Sequence, residues 1–61
     1  MEPNEIKVGK IYRFKSGPRK VTRIYGVGSY RVVTWEPPEP TGYEHDAMLH
    51  PFARRAIEEV L

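Results

Sequence analysis

No cysteine occurs among the 61 residues of this chain, so neither a disulfide nor a thiolate-bound metal can hold its fold. A chain of this length makes one domain at most and buries only about 60% of the surface its unfolded form exposes. Its core must come from the apolar 39% of its residues, helped by good turns and, if it is a homodimer rather than a monomer, by a partner copy. No apolar run approaches the ~20 residues that cross a bilayer. The opening Met1-Glu2-Pro3-Asn4-Glu5 is acidic and polar, unlike a signal peptide. Both features predict a cytoplasmic protein with no membrane partner.

From Ile6 the apolar period is mostly two, the spacing of a strand. Val8, Tyr12 and Phe14 share one parity; Ile11, Arg13 and Lys15 share the other, so the inward face of this first strand stays open. Ser16-Gly17-Pro18-Arg19 predicts a turn, since Gly tolerates positive φ and Pro fixes φ near −65°. Lys20–Tyr25 is a second strand, rich in β-branched residues. Gly26-Val27-Gly28-Ser29 is short enough for a hairpin. Tyr30–Glu36 is the strongest strand, with Tyr30, Val32 and Thr34 on one face and Arg31, Val33 and Trp35 on the other. Residues 1–5 read as a flexible lead. Residues 37–42 carry three prolines that cannot donate ladder bonds, so they read as a stiff loop. Tyr43–Met48 can return as a short fourth strand covering a sheet edge.

The last segment has a helical period. Phe52, Ala53, Ala56, Ile57, Val60 and Leu61 form an apolar stripe. Pro51 suits a first turn, with His50 or a neighbour as its cap. Arg54–Glu58 and Arg55–Glu59 are i,i+4 pairs of opposite charge for the solvent face. The expected fold class is therefore mainly β: three to five antiparallel strands in a meander or small barrel, capped by a helix over 51–61, as a single domain over 1–61.

The stretch Val8-Gly9-Lys10-Ile11-Tyr12-Arg13-Phe14-Lys15-Ser16-Gly17-Pro18-Arg19-Lys20-Val21 resembles the opening of the SH3-like small β-barrels of the KOW and Tudor-like group. A Gly precedes a basic, apolar-alternating strand, and a Gly-Pro turn leads to the second. The resemblance covers about the first 36 residues. It implies binding to RNA, DNA or a protein peptide, and no catalysis. The terminal helix looks like an addition common in small prokaryotic or phage-encoded barrels.

Charge is split along the chain. Residues 1–35 carry eight Lys and Arg against two Glu, a balance of +6; residues 36–61 carry two Arg against six acids, a balance of −4. A polyanion could be held on one side and repelled from the other. The candidate nucleic-acid-binding residues are Arg13, Lys15, Arg19, Lys20, Arg23 and Arg31, with Tyr12, Tyr25, Tyr30 and Trp35 to stack bases at roughly 1–3 kcal/mol each. This requires Arg13, Arg23 and Arg31 to share a face. The plainer explanation is that a solvated strand face needs charge for solubility and edge protection. Trp35 fits either the core or a groove beside Pro37 and Pro38. The alternative function is a protein–protein adaptor or inhibitor. It would use the sheet edge, the Trp35 and Pro-rich region and the acidic 36–46 loop.

No enzymatic signature is present: no nucleophile elbow, no Ser–His–Asp set, no phosphate-cradling Gly loop. Gly26-Val27-Gly28 lacks the strand-to-helix setting and is a turn. His45, Asp46 and His50 match no established metal spacing. Pro37-Pro38-Glu39-Pro40 has Pro-x-x-Pro spacing but reads as a structural loop. No catalytic residue, metal or cofactor is expected.

Overall fold

The computed structural model describes residues 1–39 and 41–60. The elements run β1 (Ile11–Phe14), β2 (Gly17–Tyr25), β3 (Val32–Glu36), β4 (His45–Met48), α1 (Leu49–Arg55) and β5 (Glu58–Val60). All strand pairings are antiparallel. They form one sheet in the order β4-β3-β2-β1-β5. The described residues are mainly β, with five strands and one α-helix. The sheet is open: β4 and β5 are its two edges, and they do not pair among the described residues. Of the two forms expected, a meander or a small barrel, the barrel is not closed: β1–β4 form a meander, and α1 packs on the inner face.

Alternation settles β1. Tyr12 and Phe14 are buried and Arg13 is exposed between them. Only Lys15 and Ser16 turn the chain, with Phe14 opposite Gly17 in register. Gly17, directly after the turn, has φ +126°, a backbone conformation that suits glycine. The turn is tighter than the predicted Ser16–Arg19, and Pro18 and Arg19 belong to β2. Pro18 is tolerated there because β3 pairs with β2 only from Lys20 onward.

Val21 and Ile24 are an odd number of residues apart, yet both turn toward the core. A register shift between Val21 and Arg23 makes this possible: the bulge resets the parity and sends Thr22 and Arg23 to the outer face. The β2–β3 connection is not a tight hairpin. It holds a 3-10 turn at Gly28–Tyr30, so β3 starts at Val32 and Tyr30 lies outside it. Gly26 is required here. It has φ +98°, and a Cβ would sit 2.5 Å from the Tyr30 carbonyl oxygen.

The helix begins earlier and ends sooner than 51–61. Its N-cap is Met48, without a side-chain cap bond, and the Leu49 N–H donates to the Arg31 carbonyl at 2.9 Å. Pro51 does lie in the first turn, where its missing N–H has no intrahelical partner to lose. Ala56 leaves the helical region and Ile57 N–H donates to the Arg13 carbonyl at 2.8 Å. The chain then runs on as β5 along the open edge of β1. Edge pairing thus overrides the helical stripe: Phe52, Ala53 and Ala56 are buried, whereas Ile57 and Val60 are exposed. Leu61 lies outside the described residues.

The core joins Ile6, Tyr12, Phe14, Val21, Val33, Leu49, Phe52, Ala53 and Ala56. Phe52 is its centre, with its ring 4.6 Å from that of Phe14 and 6.5 Å from that of Tyr12, both edge-on. Residues 1–5, read from the sequence as a flexible lead, make specific contacts with the fold. Pro3–Glu5 forms a 3-10 turn, the Met1 amino group donates to the Ala53 carbonyl at 3.0 Å, and the Tyr12 hydroxyl donates to the Glu5 carbonyl at 2.9 Å. No described helix is long and apolar enough to cross a membrane.

Candidate anion-binding site at the hairpin end

The ten residues expected to bind nucleic acid separate into four places. Tyr12 is fully buried and cannot stack on a base. Its hydroxyl accepts from the Lys7 N–H at 2.7 Å, and burial pushes the phenol above its ordinary value, against the lowering effect of that bond. The period-two pattern placed it on a strand but could not tell core from platform.

Arg13, Lys20, Arg23 and Tyr25 lie on the outer face, away from α1. There the acids of the second half of the chain meet them. Arg13 Nε donates to Glu58 Oε1 at 2.9 Å. Lys20 stands opposite Glu36 in the ladder. Arg23 lies over the Tyr25 ring at 4.8 Å, and the Tyr25 hydroxyl is 3.5 Å from Asp46. Thr22 donates to Glu44 at 2.7 Å and Thr34 to Asp46 at 2.8 Å. Tyr30 and Arg31 are exposed at the far end of the sheet. Arg13 and Arg23 thus share the outer face with these acids among them, while Arg31 stands apart at the far end, so the three do not form one basic patch.

Lys15, Arg19 and Trp35 do come together, at the end of the sheet where the β1–β2 hairpin turns. Arg19 faces Tyr12 across the ladder, so its side chain takes the inner parity and closes that end of the core. Its guanidinium carbon lies 4.3 Å from the Phe14 ring centre and 4.2 Å from that of Trp35. His45 stacks on Trp35 at 4.6 Å with 26° between the rings. The row Phe14–Arg19–Trp35–His45 thus crosses four adjacent strands. Because β2 and β4 flank β3, Arg19 and His45 meet Trp35 from opposite sides. Trp35 is clasped, and the exposed ring at the end of the row is His45.

Arg19 is oriented further by Ser16, whose Oγ accepts from Nη2 at 3.1 Å. Burial, and secondarily the charge of Arg55, hold the Arg19 guanidinium below its usual value; an arginine nonetheless stays charged at neutral pH. Two grooves flank it. One, of about 570 Å³, lies between the Ser16–Arg19 stretch, Trp35 and the Pro37–Glu39 segment, so that it includes the carboxylate of Glu39. The other, of about 530 Å³, is lined by Phe14, Lys15, Ser16, Arg19, Arg55 and Ile57. Trp35 is accordingly both a rim of the core and a groove wall.

Arg55 and His45 were not among the expected binding residues. The sequence pattern paired Arg55 with Glu59 on one helix; the early end of α1 separates them, and the nearest cation to Glu59 is Lys10 at 4.0 Å. Likewise Glu58 pairs with Arg13 and not Arg54. His45 and Asp46 lie on opposite faces of β4, and no group of three or more His, Asp or Glu that could hold a metal occurs among the described residues. Pro40, and with it the full Pro-x-x-Pro spacing, lies outside them.

Comparison with protein-family models, with curated proteins and with solved structures found no match.

Proposed function

We propose that this chain is a small non-enzymatic binding module that takes single-stranded nucleic acid at the hairpin end of its sheet. The observation that carries this is the row Phe14–Arg19–Trp35–His45, with Lys15 and Arg55 beside it and no ion pair on any of the three cations among the described residues. Arg19 is already ordered between two rings, so less entropy is lost when its N–H edge meets a phosphate. Lys15 and Arg55 supply further charge, and His45 offers a ring to a base. The antiparallel β1–β4 meander, with β5 returned after the short helix to the edge of β1, supports the SH3-like, KOW or Tudor-like resemblance, which implies binding and not catalysis. The absence of cysteine fits a cytoplasmic setting.

Three cations give a shallow salt dependence, a slope of about −2 in log affinity against log salt for a single strand. The test is a titration of labelled single-stranded and duplex DNA and RNA at low and near-physiological salt, with Trp35 fluorescence as a second signal. Saturable single-strand binding that weakens with salt and changes Trp35 emission is expected. No binding at low salt overturns the proposal.

The groove of about 570 Å³ walled by Trp35, Pro37 and Pro38 favours a second reading, an adaptor or inhibitor that holds a protein segment there. That binding would be less salt-sensitive and would be lost in Trp35→Ala.

A further inference from the structure

The charge at the hairpin end is concentrated. Lys15, Arg19 and Arg55 line one groove of about 530 Å³, and no acid is among its lining residues. Phe14 and Ile57 give it apolar walls beside the cations. A phosphodiester within a strand carries one negative charge. A terminal phosphomonoester carries roughly −1.5 to −2 at neutral pH and three strong acceptor oxygens. Three cations on one small groove match the second group better than the first.

The surroundings favour an end for a separate reason. A strand running on across this end of the sheet meets carboxylates: Glu39 lines the neighbouring groove, and Glu36 follows Trp35 on β3. The site has no continuous track of cations on which successive phosphates could lie. A strand can bring in its end, with its next bases directed along Arg19 and Trp35 toward His45, without threading through.

We infer that this groove binds the terminal phosphate of a nucleic-acid strand, held by Lys15, Arg19 and Arg55. The inference rests on the nucleic-acid reading above. Arg19 supplies a directed fork, since one of its terminal nitrogens is already placed by Ser16.

The experiment compares four labelled oligonucleotides of one sequence by anisotropy with the full chain: 5′-phosphorylated, 3′-phosphorylated, hydroxyl at both ends, and circular. A phosphoserine peptide is titrated alongside. One phosphorylated form should bind about tenfold tighter than the hydroxyl-ended and circular forms. Arg55→Gln should remove that preference, as should Lys15→Gln, with the thermal melt unchanged in at least one of them. Equal affinity for all four strands overturns the inference and leaves the nucleic-acid reading standing. No binding of any strand overturns both. A phosphopeptide bound as tightly as the phosphorylated strand overturns the strand-end assignment, because the groove would then be reading phosphomonoesters of protein.

Discussion

On the outer face of the sheet Arg13 meets Glu58 at 2.9 Å, Lys20 stands opposite Glu36, and Arg23 lies on Tyr25 beside Asp46. At the hairpin end Lys15, Arg19 and Arg55 line one groove between Phe14 and Ile57 with no carboxylate among them. Both regions are built from the basic first half of the chain plus a piece of the acidic second half. The difference lies in which piece the topology delivers. Pairing of β4 with β3 and of β5 with β1 carries Asp46 and Glu58 to the outer face. The end of α1 carries Arg55 to the hairpin. A charge split along a sequence is thus not a charge split in space, and the smaller cluster of cations is the one without a carboxylate beside it among the described residues.

The two regions share one floor, which gives the harshest test. Phe52→Ala removes the ring beneath both Tyr12 and Phe14 and should cost about 3–5 kcal/mol. A chain of this size has a total stability of roughly 3–9 kcal/mol. The variant should lose its cooperative melt by circular dichroism, and binding with it. If the melt survives while binding disappears, the hairpin end does not rest on the common core.

Charge reversal separates the regions next. Lys15→Glu with Arg55→Glu should weaken single-strand binding by about 30-fold or more at fixed salt, while Arg13→Glu with Arg23→Glu should change it by less than about threefold. Equal losses from the two pairs would erase the distinction between the faces.

Tyr12→Phe probes the floor alone. It leaves the Lys7 N–H and the Glu5 carbonyl without their partner and should cost about 1–3 kcal/mol in denaturant unfolding. Because burial raises the Tyr12 value in the folded state, its contribution is present below about pH 10 and is lost as pH rises through the folded value. Wild-type stability should therefore fall above about pH 10, with a smaller fall in Tyr12→Phe.

Removing acids should make the outer face behave more like the hairpin end. Glu36→Gln with Glu58→Gln should raise single-strand affinity by about two- to threefold, and a further Arg13→Glu should cancel the gain. The smallest effect is the Arg13–Glu58 pair itself. Both partners are largely exposed, so a double-mutant cycle on stability should give under about 0.5 kcal/mol.

Much of the sheet is legible in the sequence. The alternation of Tyr12 and Phe14, the Gly17 turn, the β-branched run through Ile24 and the Val33–Trp35 segment each carry a local signal. His45–Met48 does form the edge strand that its few apolar residues hinted at. What local pattern could not show is decided by long-range pairing. Residues 58–60 have a helical period, yet β1 offers an open ladder that takes them as β5. That one choice releases Arg55 from Glu59, gives Glu58 to Arg13, and so moves the candidate site from the outer face to the hairpin end. The bulge at Thr22 is hidden for the same reason, since only the demand of Val21 and Ile24 for one core reveals it. Lys15, Arg19 and Trp35 all stood among the residues expected to bind, and they do come together at the hairpin end; that Arg19 fills the space between the Phe14 and Trp35 rings carried no signal in the sequence.

The most direct measurement is a nuclear magnetic resonance titration of the labelled protein with a short single-stranded oligonucleotide, following the Arg Nε–H, Trp35 indole and His45 ring signals together. Shifts confined to Arg19, Arg55, Trp35, His45 and the Lys15–Ser16 turn, with Arg13 and Arg23 unmoved, are the predicted result. Shifts that centre on Arg13, Lys20 and Arg23 across the outer strands would contradict it.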